Sequence, residues 1–398
     1  MFETAWQDVR YGFRLLRRSP MFTATAALSL AIGIGANTTI FSIASAVLLR
    51  PLPGLAEPDR LVDIGRTDAG RNNFDTSTYP NYRDVRARVT LLSDVYASRI
   101  EPQPVSLSDG KEAERIYGVP VSGNYFRALG TTAARGRLLT DDDDRAGGPA
   151  VAVISYELWQ RRYAGAEDTV GRTVTFNNNP VTIVGIAPPR FQGTTVLRAD
   201  TWVPLTLASI VSPRFGAEMY TNRRITWLVM GGRLKPGVTV SQANAELQAI
   251  GAALEKEYPV ENRARSYKVL DSALIPGQTS NVAGFLGVLL GIVALVLLAA
   301  CVNLAGMLLA RATSRGREIA VRMAIGADRG RLVRQLITET VVLFAAGGGL
   351  GLLLTQWLTS LLLSVLPALP VPIGIDFVVD WRVMLFAAVV SLVAAVLC

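Results

Sequence analysis

The chain has 398 residues, a mean hydropathy of +0.32 and a formal net charge of +8. It contains no histidine and two cysteines, which excludes Ser-His-Asp triads, HExxH zinc sites and disulfide frameworks. None of its lysines precedes Ser or Thr, so a GxxxxGK[ST] phosphate loop is absent and any ATP used must bind another chain.

Half of the residues are hydrophobic, and the charged residues are confined to part of the chain. Three long uncharged stretches exceed the roughly 20 residues that cross a bilayer core as a helix. They predict membrane spans at residues 21–49, 282–310 and 340–366. A fourth apolar stretch, 383–398, is shorter and stops at the last residue. We interpret it as a truncated fourth span, so that the sequence is a fragment.

Residues 1–20 carry an amphipathic pattern. Apolar side chains recur every three or four positions and share one helical face: Phe2, Trp6, Val9, Phe13 and Leu16. We predict a cytoplasmic amphipathic helix, either a simple flank of the first span or a surface helix packed on the other spans. A cleaved signal peptide is the alternative for residues 1–49, but the apolar run is about twice the usual length.

The short arginine-rich segments predict the topology. Residues 1–18 carry four arginines against two acidic residues, and 311–339 carry seven against three. Positive charge near spans favours the cytoplasmic side. Residues 50–281 and the loop 367–382 are then outside, and both chain ends are inside. The positive net charge is partly this topological signal, so it does not require a nucleic-acid partner.

The outer segment 50–281 has a mixed α and β pattern that predicts a packed α+β domain. Two strand pairs are indicated. One has Val105 and Leu107 before the turn Asp109-Gly110, and Ile116 and Val119 after it. The other has Val174 and Phe176 before a turn at 177–180, and Val181 and Ile183 after it.

Three helices are predicted in the same segment, at 82–92, 155–163 and 241–258. Ser155 and Ser241 are predicted N-caps of the second and third helices, and Pro259 ends the third. The apolar residues of the third helix share one face: Ala243, Leu247, Ile250 and Leu254.

The acidic run Asp141–Asp144 is the strongest metal-like feature of the outer segment. It lacks the alternating ligand spacing of a calcium loop, so we predict a solvated loop. The carboxylates elsewhere are too scattered for an acid and base pair, and no catalytic residue is assigned. We interpret six aromatic residues as core: Tyr79, Tyr82, Trp159, Tyr163, Trp202 and Trp227.

Small residues in two spans predict close helix packing. Gly33 and Gly35 lie in the first span, and Gly347 and Gly351 form a GxxxG pattern in the third. Glycines that face lipid are the alternative. The spans carry no charged residue, which disfavours an ion-driven transporter with intramembrane carboxylates.

The inner segment 311–339 contains a short predicted helix over 318–325. Ile319 and Met323 lie four residues apart on one face between arginines, and Gly326 ends the helix. An exposed apolar ridge of this kind suits insertion into a groove of a partner. A basic loop that only enforces topology is the alternative.

Five segments resemble the MacB/FtsX-type permeases of ABC transporters, in particular duplicated permeases of the acidobacterial type. They are DVRYGFRLLRRSPMFTATAALSLAIGIGANTTIFSIASAVLLRPLP (8–53), VSGNYFRALG (121–130), AVISYELWQRRYAG (152–165), VTIVGIAPPRFQG (181–193) and REIAVRMAIGADRGRLVRQLITE (317–339).

The resemblance implies a four-span permease with an α+β extracytoplasmic domain inserted between spans 1 and 2. A porter-like part would come from 55–100 and 225–275, with 105–220 inserted as a second subdomain. The coupling surface for a separate ATP-binding subunit would be Glu318, Ile319, Ala320, Arg322, Met323 and Gly326. ATP would bind to that subunit, and this chain would hold no cofactor or metal.

The implied function is to relay ATP-driven motion to the outer domain, for export or for mechanical signalling in the envelope. The implied location is the bacterial inner membrane. Further implied partners are a second permease copy or half, in a homodimer or pseudo-dimer, and a periplasmic protein. The alternative is a non-transporting regulator of an envelope enzyme, similar to cell-division permeases. The absence of histidine and of a nucleophile constellation disfavours a membrane-anchored outer enzyme.

Overall fold

A computed structural model describes residues 20–49, 54–68, 73–110, 112–212, 216–314, 329–365 and 381–397. The chain divides into two compact units. We call the described residues of 20–49 and 281–397 the helical unit, and those of 54–280 the α+β unit.

The described helices are named in chain order. They are α1 (Pro20–Ala44), α2 (Tyr79–Arg88), α3 (Tyr125–Leu129), α4 (Tyr156–Tyr163), α5 (Ala208–Val211), α6 (Glu218–Thr221), α7 (Val240–Glu257), α8 (Thr279–Ser314), α9 (Arg329–Val365) and α10 (Trp381–Leu397). A π-helical segment, Ser45–Leu49, continues α1, and 3₁₀ turns occur at Pro58–Arg60, Glu167–Thr169 and Leu205–Leu207.

The strands all belong to one hydrogen-bonded sheet system. They are β1 (Leu61–Asp68), β2 (Leu92–Ser98), β3 (Gln103–Ser108), β4 (Glu114–Val121), β5 (Arg135–Gly136), β6 (Val151–Ile154), β7 (Thr173–Phe176), β8 (Asn179–Ile186), β9 (Thr201–Pro204), β10 (Val229–Leu234) and β11 (Arg265–Asp271).

The helical unit contains three helices long and apolar enough to cross a membrane: Pro20–Leu49, Thr279–Ala310 and Val341–Leu358. They overlap the predicted spans 21–49, 282–310 and 340–366. The apolar part of α10, Trp381–Val396, is shorter, so the fourth span stays a prediction. Helix α1 packs against α9, and their core includes Leu30, Ile34, Leu343 and Phe344.

The first part of the α+β unit is an antiparallel sheet in the order β11-β1-β10-β2. Its elements follow the chain as β1-α2-β2 and β10-α7-β11, which is the ferredoxin-like pattern. Both helices pack on one face over a shared apolar core. This ferredoxin-like subdomain (61–98 and 229–271) is built from both ends of the unit, as the resemblance implies.

The second part lies between β2 and β10 in the chain. Its strands pair in the order β4-β3-β7-β8-β6-β9, and β9 pairs with β4, which closes a six-stranded ring. We call residues 103–204 the barrel subdomain. The sheets of the two subdomains meet at the pair Ser98↔Val121 between β2 and β4.

Both predicted strand pairs are confirmed as β3–β4 and β7–β8. The second turn is shorter than predicted, because Asn179 and Pro180 already belong to β8. Asn177 and Asn178 have φ values of 46° and 68°. Two consecutive positive φ values are typical of a type I′ hairpin turn, and Asn tolerates them well.

Helix α4 begins where predicted, since Ser155 Oγ accepts a hydrogen bond from the Leu158 backbone N–H at 3.1 Å. The prediction of a helix over 82–92 is wrong at both ends. Thr78 is the N-cap of α2, and Leu92 begins strand β2. Five of the six aromatic residues predicted as core are buried, while Tyr79 is partly buried.

The predicted cap of the third helix is also wrong. Thr239, not Ser241, caps α7, because its hydroxyl oxygen and the Gln242 side chain form a reciprocal capping box. The predicted apolar face is confirmed, with Ala243, Leu247, Ile250 and Leu254 all buried.

Candidate functional site

The predicted coupling surface lies outside the described residues, and the structure therefore does not place it. Its residues are Glu318, Ile319, Ala320, Arg322, Met323 and Gly326. The predicted helix over 1–20 also falls almost wholly outside the described residues. The described part does include the two segments that join the α+β unit to the helices before and after it in sequence.

The first connecting segment (residues 54–60) is held by a buried arginine of β10. Arg233 donates from Nη2 to the Ala56 carbonyl oxygen at 2.6 Å and from Nη1 to that of Glu57 at 3.3 Å. Its Nε donates to the Ala128 carbonyl oxygen of α3 at 2.8 Å. The residue is 9% exposed, and burial lowers the pKa of its guanidinium. One side chain thus joins this segment, β10 and the barrel subdomain.

Backbone contacts also fix the first connecting segment. Thr131 Oγ1 donates to the Gly54 carbonyl oxygen at 3.0 Å. The Ala56 backbone N–H donates to the Leu129 carbonyl oxygen at 3.2 Å. Gly130, with φ of 67°, ends α3 beside Ala56, and a Cβ there would lie 2.7 Å from the Ala56 Cβ. The close approach therefore requires glycine at this position.

The second connecting segment (residues 272–278) is held by Asp63 of β1. The Ser272 hydroxyl donates to Asp63 Oδ1 at 3.2 Å, and the Ala273 backbone N–H donates to Oδ2 at 3.0 Å. Asp63 is 2% exposed. Burial raises its pKa to about 7, although these two hydrogen bonds oppose the shift.

Three further contacts fix the second connecting segment. The Ser272 backbone N–H donates to the Leu61 carbonyl oxygen at 3.1 Å, and the Leu274 carbonyl oxygen accepts from the Val196 backbone N–H at 3.1 Å. Gly277, with φ of 71°, lies against the Phe74 ring, where a Cβ would approach a ring atom to 2.2 Å. The segment is therefore tied to both subdomains before α8 begins.

Arg233 and Asp63 each hold one connecting segment, and we call them the two anchors. Both face the same side of the ferredoxin-like sheet. Val62 and Ile64 point into the core below α2 and α7, so Leu61 and Asp63 point to the opposite face. Arg233 pairs with Leu61 across the strands, and directly paired residues share a face. The face of the sheet opposite α2 and α7 therefore receives both connections.

A chain of polar contacts joins the two subdomains. We call it the clamp, and its members are Arg86, Asp94, Asn124, Arg127 and Asp141. Arg86 of α2 and Arg127 of α3 both bind the Asp141 carboxylate, at 2.8 and 3.0 Å. Arg127 also binds Asp94 of β2 at 2.9 Å, and Asn124 donates to the same carboxylate.

The acidic run 141–144 is not the solvated loop that its composition predicts. Only Asp142 is exposed. Asp143 is buried and takes two hydrogen bonds from Arg137, at 2.6 and 2.8 Å. Asp144 accepts from the Gly123 and Thr206 backbone N–H groups at 3.2 and 2.9 Å. The run anchors the loop to both sides of the subdomain junction.

The pKa values of these carboxyl groups are shifted in opposite directions. Burial raises the pKa of Asp144 to about 6. Burial also acts to raise the pKa values of Asp141 and Asp143, but their arginine partners outweigh it and hold both below the ordinary value. Among the described residues, no group of three or more His, Cys, Asp or Glu could hold a metal ion.

Glycine contacts in the helical unit confirm the predicted close packing. A Cβ on Gly35 would lie 3.0 Å from the Gly351 carbonyl oxygen, and one on Gly347 would lie 2.7 Å from the Leu30 Cβ. Thr355 Oγ1 donates across this contact to the Gly35 carbonyl oxygen at 3.2 Å.

The contact between α1 and α8 is similar. A Cβ on Gly33 would lie 2.8 Å from Leu297 Cδ1. Asn37 Nδ2 donates to the Val293 carbonyl oxygen of α8 at 2.8 Å. Helix α1 is therefore in backbone-level contact with α8 and α9.

Two family models match the chain. The MacB-like periplasmic core domain matches residues 23–250, more than half of the chain, and the FtsX-like permease C-terminal domain matches 285–398. This chain belongs to the MacB/FtsX-type permeases. It is therefore a membrane permease of the ABC exporter family, and its α+β unit is an extracytoplasmic domain.

Among relatives of this permease is the macrolide export ATP-binding/permease protein MacB of Chromobacterium violaceum. The two are 27% identical over 278 residues, which are 70% of this chain and 38% of the relative. The MacB of an Azoarcus species is 26% identical over 352 residues, 87% of this chain and 50% of the relative. The permease thus spans half or less of the length of these relatives.

The periplasmic region of MacB from Actinobacillus actinomycetemcomitans is a structural neighbour of the permease. It has 15% sequence identity and a TM-score of 0.40. The match covers 56% of this chain and 93% of the neighbour.

Proposed function

We propose that this permease relays ATP-driven motion from a separate ATP-binding subunit to its extracytoplasmic domain, and that the motion serves export. The anchoring of both connecting segments on one face of the ferredoxin-like sheet carries this proposal. A flexible linker would absorb a displacement of either helix. Segments held by Arg233 and by Asp63 would instead transmit it to β1 and β10.

The helical unit supplies the second part of the relay. Helix α1 contacts α8 and α9 through glycines. A displacement of one helix is passed to the other at such a contact, because close-packed interiors compress very little. Helices α1 and α8 lie next to the first and second connecting segments in sequence. Movement of α9 would therefore reach the extracytoplasmic domain through both segments.

We further propose the topology and the docking site predicted from the sequence. The chain would cross the plasma membrane four times, with a cytoplasmic amino terminus and the coupling segment 311–339 inside. The ridge of Ile319 and Met323, with its charged neighbours, would insert into a groove of the ATP-binding subunit.

ATP hydrolysis is assigned to the partner because this sequence has no GxxxxGK[ST] motif. The curated relatives named above are ATP-binding/permease proteins. The active assembly would contain two permease copies or halves, the ATP-binding subunit, and a partner outside the membrane.

The test is recovery of an ATP-binding subunit from native membranes. Wild type is compared with Met323→Glu and with Val321→Glu, which places the same charge on the opposite side of the predicted helix. We expect wild type and Val321→Glu to recover the subunit and stimulate its ATPase, and Met323→Glu to do neither.

Recovery by none of the three would contradict the relay and would favour an extracytoplasmic domain that acts without an ATPase. Recovery by all three, with equal ATPase stimulation, would contradict the assigned docking surface. Thermal unfolding of each variant in detergent verifies that the substitutions leave the fold intact.

A further inference from the structure

The carboxyl group of Asp63 is buried against the second connecting segment. Its two acceptor contacts go to Ser272 and Ala273, the first two residues after β11. The neighbours of Asp63 across the strands are Gly231 and Leu270, which offer it no side-chain hydrogen bond. The second connecting segment therefore covers both acceptor oxygens of Asp63, and its departure would expose them to water.

The charges around Asp63 do not neutralise it. Asp271 of β11 is exposed and acts to raise its pKa further. Tyr96 of β2 is fully buried nearby. Arg233 of β10 shares the face but donates to backbone carbonyls, and Lys268 faces the same side farther along β11. In the part of the chain that the structure describes, Asp63 has no ion pair.

A buried carboxylate without a cation is costly, whereas a protonated carboxyl group is tolerated. We call the state in which the second connecting segment covers Asp63 the docked state. In this state the pKa of Asp63 is about 7. In an undocked state water would solvate the group, and its pKa would return towards the ordinary value of 3.8. By linkage, the proton and the docked segment must then favour each other.

We propose that docking of the second connecting segment is proton-linked through Asp63. The segment is held against β1 when Asp63 is protonated, and it separates more readily when Asp63 is ionised. Residues 272–278 lead directly into α8, so the extracytoplasmic domain is joined to this helix more firmly at acidic pH. That mechanical consequence rests on the proposed function, whereas the docking equilibrium does not.

The test is amide hydrogen exchange of the Ala273 region in the full chain in detergent, between pH 5 and pH 8. Rates are corrected for the intrinsic pH dependence of exchange. Opening should rise by up to about tenfold per pH unit and level off near pH 7. We therefore expect protection to fall roughly 90-fold across this range in wild type.

Asp63→Asn should keep the segment docked and remove the slope, because the amide cannot ionise. Asp59→Asn, at an exposed acid of the first connecting segment, is the matched control and should keep the wild-type slope. Unchanged protection of the β2–β10 pair, in the same subdomain as Asp63, shows that each variant is folded. If Asp63→Asn does not fold, a flat corrected profile in wild type still contradicts the proposal.

A flat corrected profile in wild type, or an unchanged slope in Asp63→Asn, would overturn the proposal. Loss of the pH-dependent slope in Asp59→Asn as well would overturn the assignment of the proton linkage to Asp63. The exchange measurement needs no ATP-binding subunit. A failed pull-down together with a proton-linked exchange profile would therefore contradict the relay but support the proton-linked docking of the second connecting segment.

Discussion

Asp63 and Arg233 lie on the neighbouring strands β1 and β10, face the same side of the sheet, and each holds one of the two connecting segments. Asp63 accepts from the segment after β11, whereas Arg233 donates to the segment before β1. Since β1 and β10 are paired along 61–64 and 230–233, the two anchors are mechanically joined. A pull on either segment is therefore applied to the same pair of strands.

Replacement of Arg233 should destabilise the extracytoplasmic domain. Arg233→Lys keeps the charge but cannot reproduce the fork that reaches three carbonyl oxygens. We expect a loss of about 2–3 kcal/mol in the free energy of unfolding, because buried carbonyl groups lose their donors. Arg135→Lys, in an exposed ion pair with Glu167, should change it by less than about 0.5 kcal/mol.

Denaturant unfolding, followed by the fluorescence of the buried residues Trp159, Trp202 and Trp227, measures both variants. Equal effects of the two substitutions would contradict the anchoring role of Arg233. A large effect of Arg233→Lys on the barrel subdomain alone would show that its contact with Ala128 matters more than the first connecting segment.

The packing of α9 on α1 should depend on which glycine of α9 is replaced. Gly347→Leu forces a side chain into Leu30, whereas Gly349→Leu meets nothing within 4 Å. Overpacking of a tight contact typically costs about 1–3 kcal/mol. We expect a lower thermal midpoint of the detergent-solubilised protein for Gly347→Leu only. Equal midpoints for the two variants would contradict the described helix contact.

The clamp should contribute a coupling energy that an exposed ion pair lacks. A double-mutant cycle with Arg86→Met and Asp141→Asn tests it, and Arg135→Met with Glu167→Gln is the exposed reference. The two arginines lower the pKa of Asp141 against the effect of burial. Its stabilising contribution is therefore present above the ordinary carboxyl pKa and is lost as the pH falls through the lowered value.

We expect the coupling of Arg86 with Asp141 to exceed that of the exposed pair at pH 7 and to be weaker at pH 3. Chemical denaturation at both pH values gives the two coupling energies. A clamp coupling as small as the reference at pH 7 would contradict a stabilising role of the pair Arg86 and Asp141 at the subdomain junction.

The sequence correctly predicted the elements that depend on residues close together in the chain. Ser155 precedes an amphipathic run and caps α4, and the period of Ala243 to Leu254 gives the buried face of α7. The GxxxG pattern of Gly347 and Gly351 correctly indicated helix packing. Segments 105–119 and 174–183 pair as neighbours in the chain, and such pairs need no distant information.

The sequence could not predict features that depend on distant partners. Asp141 looks solvated until Arg86, 55 positions earlier, is placed beside it. The contact between Arg233 and Ala56 joins residues 177 positions apart, and that between Asp63 and Ala273 joins residues 210 apart. A polar residue in an apolar strand is the only signal, and it does not identify the partner.

Asp144 should make the stability of the extracytoplasmic domain fall as the pH rises from about 4 to 6. Its pKa is raised by burial to about 6, so the folded state binds a proton that the unfolded state has released. Stability is then highest below the ordinary carboxyl pKa and decreases until the folded pKa is passed. Asp144→Asn cannot ionise and lacks this decrease.

The difference in unfolding free energy between Asp144→Asn and wild type should therefore move in favour of the variant by roughly 2 kcal/mol between pH 4 and pH 7. Whether the variant is more or less stable than wild type overall depends on a lost hydrogen bond. The single amide oxygen of Asn can accept from the backbone N–H of Gly123 or of Thr206, but not from both. Asp142→Asn, at the exposed neighbouring position, should show a constant difference from wild type. A constant difference for Asp144→Asn as well would mean that Asp144 is solvated in the folded protein, as the acidic run alone suggests.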